Sequence, residues 1–156
     1  MKKIILVIII VIVVLWAVLV FNALIRLRNR TKEAWSDIDV QLKRRYNLIP
    51  NLIETVKAYK IHEEEVLIEI TEARSQIGKA TTPAGLAEGD AALTSAIGRL
   101  LVVVENYPNL KANENFLELQ RELSDTENKI QAARRFYNTN VRDLNTALQS
   151  FPQNIV

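Results

Sequence analysis

The chain has 156 residues, of which 49% are hydrophobic and 24% charged, with a formal net charge of +2 and no cysteine. That length accommodates one domain of ordinary size and excludes two sizeable cores. Without thiols there is no disulfide framework, thiolate metal site, cysteine nucleophile or lipid-modified cysteine.

Hydrophobicity is concentrated at the start, where Ile4 to Phe21 form eighteen consecutive apolar residues. As a helix they extend about 27 Å, close to the ~30 Å hydrocarbon thickness of a bilayer. Asn22, Ala23, Leu24 and Ile25 can carry the helix on to the interface. At about −0.3 to −0.6 kcal/mol per apolar residue near the helix centre, the run favours insertion by several kcal/mol. A cleaved secretory signal would share the basic Lys2 and Lys3. Its apolar stretch, however, is ordinarily about 7–15 residues and ends in a small-x-small site, which Phe21, Asn22 and Ala23 match poorly. The expectation is a retained anchor at residues 1–25 and a helical domain at residues 26–156. Lys2, Lys3, Arg26, Arg28 and Arg30 flank the anchor where lipid headgroups would lie. Counting basic residues favours an outside N-terminus and a cytoplasmic domain, at a bacterial inner membrane crossed once.

From Arg26 to Pro50 there is no glycine and no earlier proline, and Leu27, Thr31, Ala34, Trp35, Ile38, Leu42, Tyr46 and Ile49 recur at helical spacing. The anchor should therefore continue as a helix into the domain until Pro50 interrupts or kinks it. The pattern resumes with Leu52, Ile53, Val56 and Tyr59, then Val66, Leu67, Ile70, Ala73 and Ile77, and ends near Gly78. Residues 79–90, KATTPAGLAEGD, predict a mobile connection, although Thr82 before Pro83 has the chemistry of a helix start. A helix from Ala91 to Asn106 presents Leu93, Ile97, Leu100, Leu101 and Val104, and the Tyr107, Pro108, Asn109 turn stops it. The last helix, from Asn113 to Ser150, starts at Asn113 or at Asn115, the latter paired with Glu118. Its apolar stripe reads Phe116, Leu119, Leu123, Thr126, Ile130, Ala133, Tyr137, Val141, Leu144 and Leu148. Such a stripe needs partner helices. The predicted class is all-α: one N-terminal transmembrane helix followed by an elongated antiparallel up-and-down bundle of three to four long helices.

Two stretches, EAWSDIDVQLKRRYNLIPNLIETVKAY from Glu33 to Tyr59 and LKANENFLELQRELSDTENKIQAARRFYN from Leu110 to Asn138, resemble the bacterial LemA family. The likeness runs from the anchor through Phe151 and Pro152. It implies a single-pass membrane protein with an elongated helical bundle and no established biochemical activity. Gly85, Gly89 and a third helix patterned only from Ala91 depart mildly from that family.

The residues themselves argue against chemistry. His62 precedes Glu63, Glu64 and Glu65, but the zinc-protease pattern needs a second histidine four residues on, where Val66 stands. Glu63, Glu64, Glu65 and Glu69 have oxygen ligands suited to calcium, yet carboxylates also favour a helix N-terminus, and that reading is preferred. Asp37 with Asp39, and Asp125 with Glu127, are spaced by two residues and so point in different directions on a helix. No catalytic residue, cofactor, metal or small-molecule substrate is expected. Asp37, Arg45, Asn51, Glu127 and Arg134 are expected to form an inter-helix polar layer that sets register.

Charge is polarised along the domain: residues 26–60 hold nine basic and four acidic side chains, and residues 63–90 hold two and seven. Because the basic segment adjoins the membrane span, the lipid bilayer and not nucleic acid is the expected partner. Trp35, Tyr46 and Tyr59 fall at core spacing. The leading functional reading is a non-enzymatic scaffold that recruits a protein partner or a second copy of itself. The competing reading is an enzyme, or a regulatory subunit of a membrane protease, that uses the polar residues of the bundle.

Overall fold

The computed structural model describes residues 2–59 and 63–155; His62, weighed above as a zinc ligand, lies outside the described residues. Among the described residues five α-helices follow one another: α1 (Lys2–Ala58), α2 (Glu64–Lys79), α3 (Pro83–Val104), α4 (Pro108–Lys111) and α5 (Glu114–Gln149), then a 3-10 turn at Gln153–Ile155. No strand occurs among the described residues. The chain divides into two compact units, one made of Met1–Asp39 with Gln131–Val156 and the other of Val40–Ile130.

In the unit formed by Val40–Ile130, α1 passes through Pro50 as one helix and ends at Ala58, so of the expected interruption or kink at Pro50 the interruption does not occur. A proline inside a helix strands the carbonyl four residues earlier, here that of Tyr46, and costs about 3 kcal/mol. Arg74 of α2 takes up that carbonyl: its Nε donates to the Tyr46 oxygen at 3.4 Å, and its guanidinium lies 4.2 Å from the Tyr46 ring centroid. Ile49, Leu52 and Val56, on either side of the proline, are buried in the core. Their burial, at about 1.5–3 kcal/mol per large apolar side chain, outweighs the penalty.

Glu64 and Glu65 occupy the first turn of α2, where the helix dipole favours carboxylates. α3 starts earlier than expected. Thr82 Oγ1 accepts from the Gly85 N–H at 3.1 Å and Pro83 sits in the first turn, so residues 83–90 are helical and the connection shrinks to residues 80–82. Gly89 lies inside α3 because α2 approaches closely there: a Cβ would stand 2.8 Å from Ile77 Cγ1 and 3.1 Å from the Ile77 nitrogen. Further from the connection, Arg99 of α3 pairs with Glu69 of α2 at 2.8 Å.

Asn113 is the residue that caps α5. Its Oδ1 accepts from the Phe116 N–H at 2.9 Å, and its Nδ2 donates to the Tyr59 hydroxyl at 2.9 Å, tying the cap to the segment after α1. The core of this unit gathers Ile49, Leu52 and Val56 of α1, Leu67, Ile70 and Ile77 of α2, Leu93, Ile97 and Leu100 of α3, Leu110 of α4, and Phe116 and Leu123 of α5.

In the other unit, Ala34 and Ile38 of α1 are buried, and the Trp35 ring meets that of Tyr137 edge-on, with centroids 5.4 Å apart and an interplanar angle of 62°. Asn140, not Val141, takes the buried place on α5, with its Nδ2 donating to the Phe136 carbonyl at 2.8 Å. Leu148 is exposed, so the predicted stripe does not stay buried to its end. Ile4 to Leu15 are exposed throughout, and α1 is the helix among the described residues that is long and apolar enough to cross a membrane.

Candidate functional site

The strongest polar constellation lies in the unit formed by Val40–Ile130 and begins with the placement of Arg45. Leu42, Arg45, Ile49, Leu52 and Val56 alternate steps of three and four along α1 and are all buried, so Arg45 occupies a core position that a leucine would ordinarily hold. On α3, Asp90 stands three residues before Leu93 on the buried face, and Thr94 follows one turn later. On α5, Glu127 adjoins the buried Thr126 and lies one turn beyond Leu123.

These positions converge on one nitrogen. The two N–H groups of Arg45 Nη1 are shared among three acceptors, Asp90 Oδ1 at 2.7 Å, Thr94 Oγ1 at 2.9 Å and Glu127 Oε2 at 2.5 Å. Thr94 in turn donates its hydroxyl proton to the Asp90 carbonyl at 2.9 Å. Arg45 is 3% exposed and Asp90 2%, whereas Glu127 reaches partly into solvent. One buried cation on α1 is therefore held by two further helices, α3 and α5, and shared by two carboxylates. Charge-assisted bonds of this length are the stronger class of hydrogen bond, and the low local dielectric makes each partner costly to remove alone. Arg45 Nε is buried without a partner, so the cluster is not fully satisfied.

Beside the cluster a cleft of about 310 Å³ opens between α3 and α5, bordered by Thr94 and Glu127 and floored by Leu52, Leu100, Phe116 and Leu123. Its walls are mainly apolar. The guanidinium turns toward internal carboxylates, and the Thr94 hydroxyl beside Glu127 is engaged by Arg45 and by the Asp90 carbonyl.

Of the five residues expected in the polar layer, Arg45 and Glu127 meet directly. Asp37 is exposed and belongs to the other unit, as does the half-buried Arg134. Asn51 is exposed at the edge of an open groove shared with Tyr59 and Asn113, and its carbonyl accepts from Thr55 Oγ1 at 2.8 Å. Asp90 and Thr94 were missed. The signal for Asp90 was available: extending the periodicity of the third helix back one step from Leu93 reaches it.

Other candidates resolve into packing. Asp125 and Glu127 have separate partners, since Asp125 binds Lys129 Nζ at 2.8 Å and lies 3.8 Å from Arg44. The Lys129 hydrogen bond, with the positive charges of Lys129 and Arg44, holds the Asp125 carboxyl below its ordinary value of 3.8 against a smaller opposing effect of burial. Tyr46 and Tyr59 are engaged by Arg74 and Asn113, and Trp35 by Tyr137. Among the described residues, no group of three or more His, Cys, Asp or Glu side chains is placed to hold a metal ion. On the exposed flank of the apolar run, Arg26 and Arg30 stand one turn apart and border a shallow depression with Asn29 and Glu33.

Residues 34–156 match the family described as LemA family. A protein named Protein LemA from Metamycoplasma hominis is 32% identical over 139 residues, covering 86% of this chain and 62% of the relative. Magnetosome protein MamQ from Magnetospirillum gryphiswaldense is 22% identical over 158 residues, 85% of this chain and 58% of that protein. Magnetosome protein MamQ 2 from Paramagnetospirillum magneticum is 22% identical over 160 residues, covering 86% of this chain and 59% of that protein. The chain thus spans about three fifths of the length of these relatives.

Proposed function

Because the chain belongs to the LemA family, we propose that it is a membrane-anchored, non-enzymatic scaffold whose helical domain recruits or organises partner proteins at a bacterial membrane. The observation that carries the reading is the composition of α1. A single helix begins with an apolar stretch that is exposed throughout from Ile4 to Leu15 and continues to the buried Ile49, Leu52 and Val56 of a packed core. In water the exposed stretch would be a large liability; in a bilayer it is what a spanning helix requires. We read residues 1–25 as the anchor and residues 26–156 as an antiparallel helical bundle. Lys2 and Lys3 meet headgroups on one side, and Arg26, Arg28 and Arg30 meet them on the other. The basic count places the N-terminus outside and the bundle in the cytoplasm.

The polar cluster supports a structural role for Arg45 over a catalytic one. Its Nη1 is committed to Asp90, Thr94 and Glu127, an arrangement that fixes the mutual register of α1, α3 and α5. What remains for recognition is surface. Val102 and Ile68 are large apolar side chains exposed on α3 and α2, in the manner of contact residues at protein interfaces.

The test is site-specific photocrosslinking of the full chain in native membranes, with the photoreactive side chain at Val102 or at Ile68. A scaffold gives a discrete adduct of defined mass, either with another protein or with a second copy of the chain. Recovery of uncrosslinked monomer from both positions contradicts the proposal.

A further inference from the structure

The apolar surface of the unit formed by Met1–Asp39 and Gln131–Val156 does not end with α1. Along α1, Val18 is 51% exposed while Val20 is 9% exposed. Trp16, Ala17, Ala23, Leu24 and Ile25 are also half-buried, in contrast to the open stretch before them. Neighbours on one helix cannot make that difference, so another segment covers this part of α1. Within the unit, only residues 131–155 are available.

Length decides which of them do so. Trp35 touches Tyr137, and Val20 lies fifteen residues before Trp35, about 22 Å along the helix. Residues 131–136 lie within about 9 Å of Tyr137 along α5 and cannot reach it. The end of α5 and the 3-10 turn after it can. Val20 is itself about 9 Å to the apolar side of Arg26, the first charge after the span. The C-terminal end is thus carried past the level of Arg26, toward hydrocarbon.

The composition of that end suits the location. Residues 144–156 contain no Asp, Glu, Lys or Arg, immediately after Arg142 and Asp143. Phe151 is 78% and Ile155 68% exposed, and Leu148 is exposed as well. Part of the backbone is met within the segment: the Ser150 N–H donates to the Thr146 carbonyl at 2.9 Å, that of Asn154 to Ser150 at 3.0 Å and that of Ile155 to Pro152 at 3.3 Å, while Pro152 has no N–H to satisfy. Each backbone group met internally lowers the cost of placing the segment at the membrane interface, where headgroups and water can take the others.

We propose that the C-terminal segment from Leu148 to Ile155 is a second membrane-contacting element, a foot that sets Phe151 and Ile155 into the headgroup and acyl boundary of the bilayer that α1 spans. The proposal rests on the anchor reading given above. Its depth follows from the position of Val20 and matches the ~5–10 Å typical of interfacial segments. Insertion at two points also restrains the tilt and rotation of the domain relative to the membrane, which a single spanning helix leaves free.

The absence of native cysteine makes a direct test simple. Single cysteines replace Ile12, Phe136, Phe151 or Ile155 in the full chain, each carries an NBD fluorophore, and the proteins are reconstituted in phosphatidylethanolamine and phosphatidylglycerol vesicles. Lipids bearing a nitroxide high or low on the acyl chain then quench by depth. The foot predicts blue-shifted emission at Phe151 and Ile155 with quenching by the shallow nitroxide, quenching at Ile12 by the deep one, and none at Phe136, which is exposed beside Tyr137 on the aqueous side of Arg26. Phe151 is the deciding position. If it behaves like Phe136 while Ile12 is quenched by the deep nitroxide, the foot is rejected and the anchor stands. If Ile12 is not quenched either, the anchor reading falls and the foot with it.

Discussion

Replacing Arg45 by methionine is expected to lower the unfolding free energy of the full-length protein by about 3–5 kcal/mol, the range for removing one partner of a buried ion pair. The size of the effect comes less from the lost bonds than from what is left. Asp90 is 2% exposed and would face the apolar side chain of methionine where a guanidinium stood 2.7 Å away. Losing the guanidinium removes an ion-pair partner that offsets the desolvation of the buried Asp90 and, to a smaller degree, that of Glu127, which is partly open to solvent. The same reasoning predicts rescue. Arg45→Met combined with Asp90→Asn and Glu127→Gln should regain most of the loss, because neutral amides carry a smaller desolvation cost than carboxylates. Thermal unfolding in detergent micelles, followed by circular dichroism, compares the variants. An Arg45→Met protein with an unchanged midpoint would contradict the assignment of this cluster as a structural lock, and would turn attention to Arg45 as a recognition residue.

Gly89→Ala and Gly98→Ala should shift stability in opposite directions although both lie within α3. In a helix interior alanine is favoured over glycine by about 0.5–1 kcal/mol. At Gly98 nothing lies within 4 Å of an added Cβ, so the full gain is expected. At Gly89 the Cβ would press on Ile77, including its backbone nitrogen, and α2 must move away from α3. Overpacking of that kind costs about 1–3 kcal/mol and exceeds the propensity gain. The same unfolding assay reads both. Equal stabilisation by the two substitutions would mean that the α2–α3 contact is looser than described.

How much of this was legible in the sequence depended on how far each cause lay along the chain. The apolar run and the helical character of the rest were readable because composition and periodicity are local properties. Whether Pro50 stops α1 or lets it pass was not, since the group that takes up the freed Tyr46 carbonyl is Arg74, twenty-eight residues away on another helix. The same holds for Gly89. In one dimension it reads as a loop residue, and only the approach of Ile77 explains why a helix has a glycine there. That misreading cost the site its second carboxylate, because Asp90 was assigned to the connection and never placed on a helix face. Arg45 and Glu127 were legible as polar residues in or beside apolar stripes. Thr82 with Pro83, and Asn113 before Phe116, carried their capping chemistry openly.

In the proposed arrangement α1 crosses the bilayer once and holds the helical domain on the cytoplasmic face. Single cysteines at Lys3 and at Lys79, both exposed positions, report it directly when spheroplasts are treated with a membrane-impermeant maleimide before and after lysis. A single crossing with the domain inside gives labelling of Lys3→Cys in intact spheroplasts and of Lys79→Cys only after lysis. Labelling of both positions before lysis, or of neither, would place them on one side of the membrane and contradict a single crossing between them.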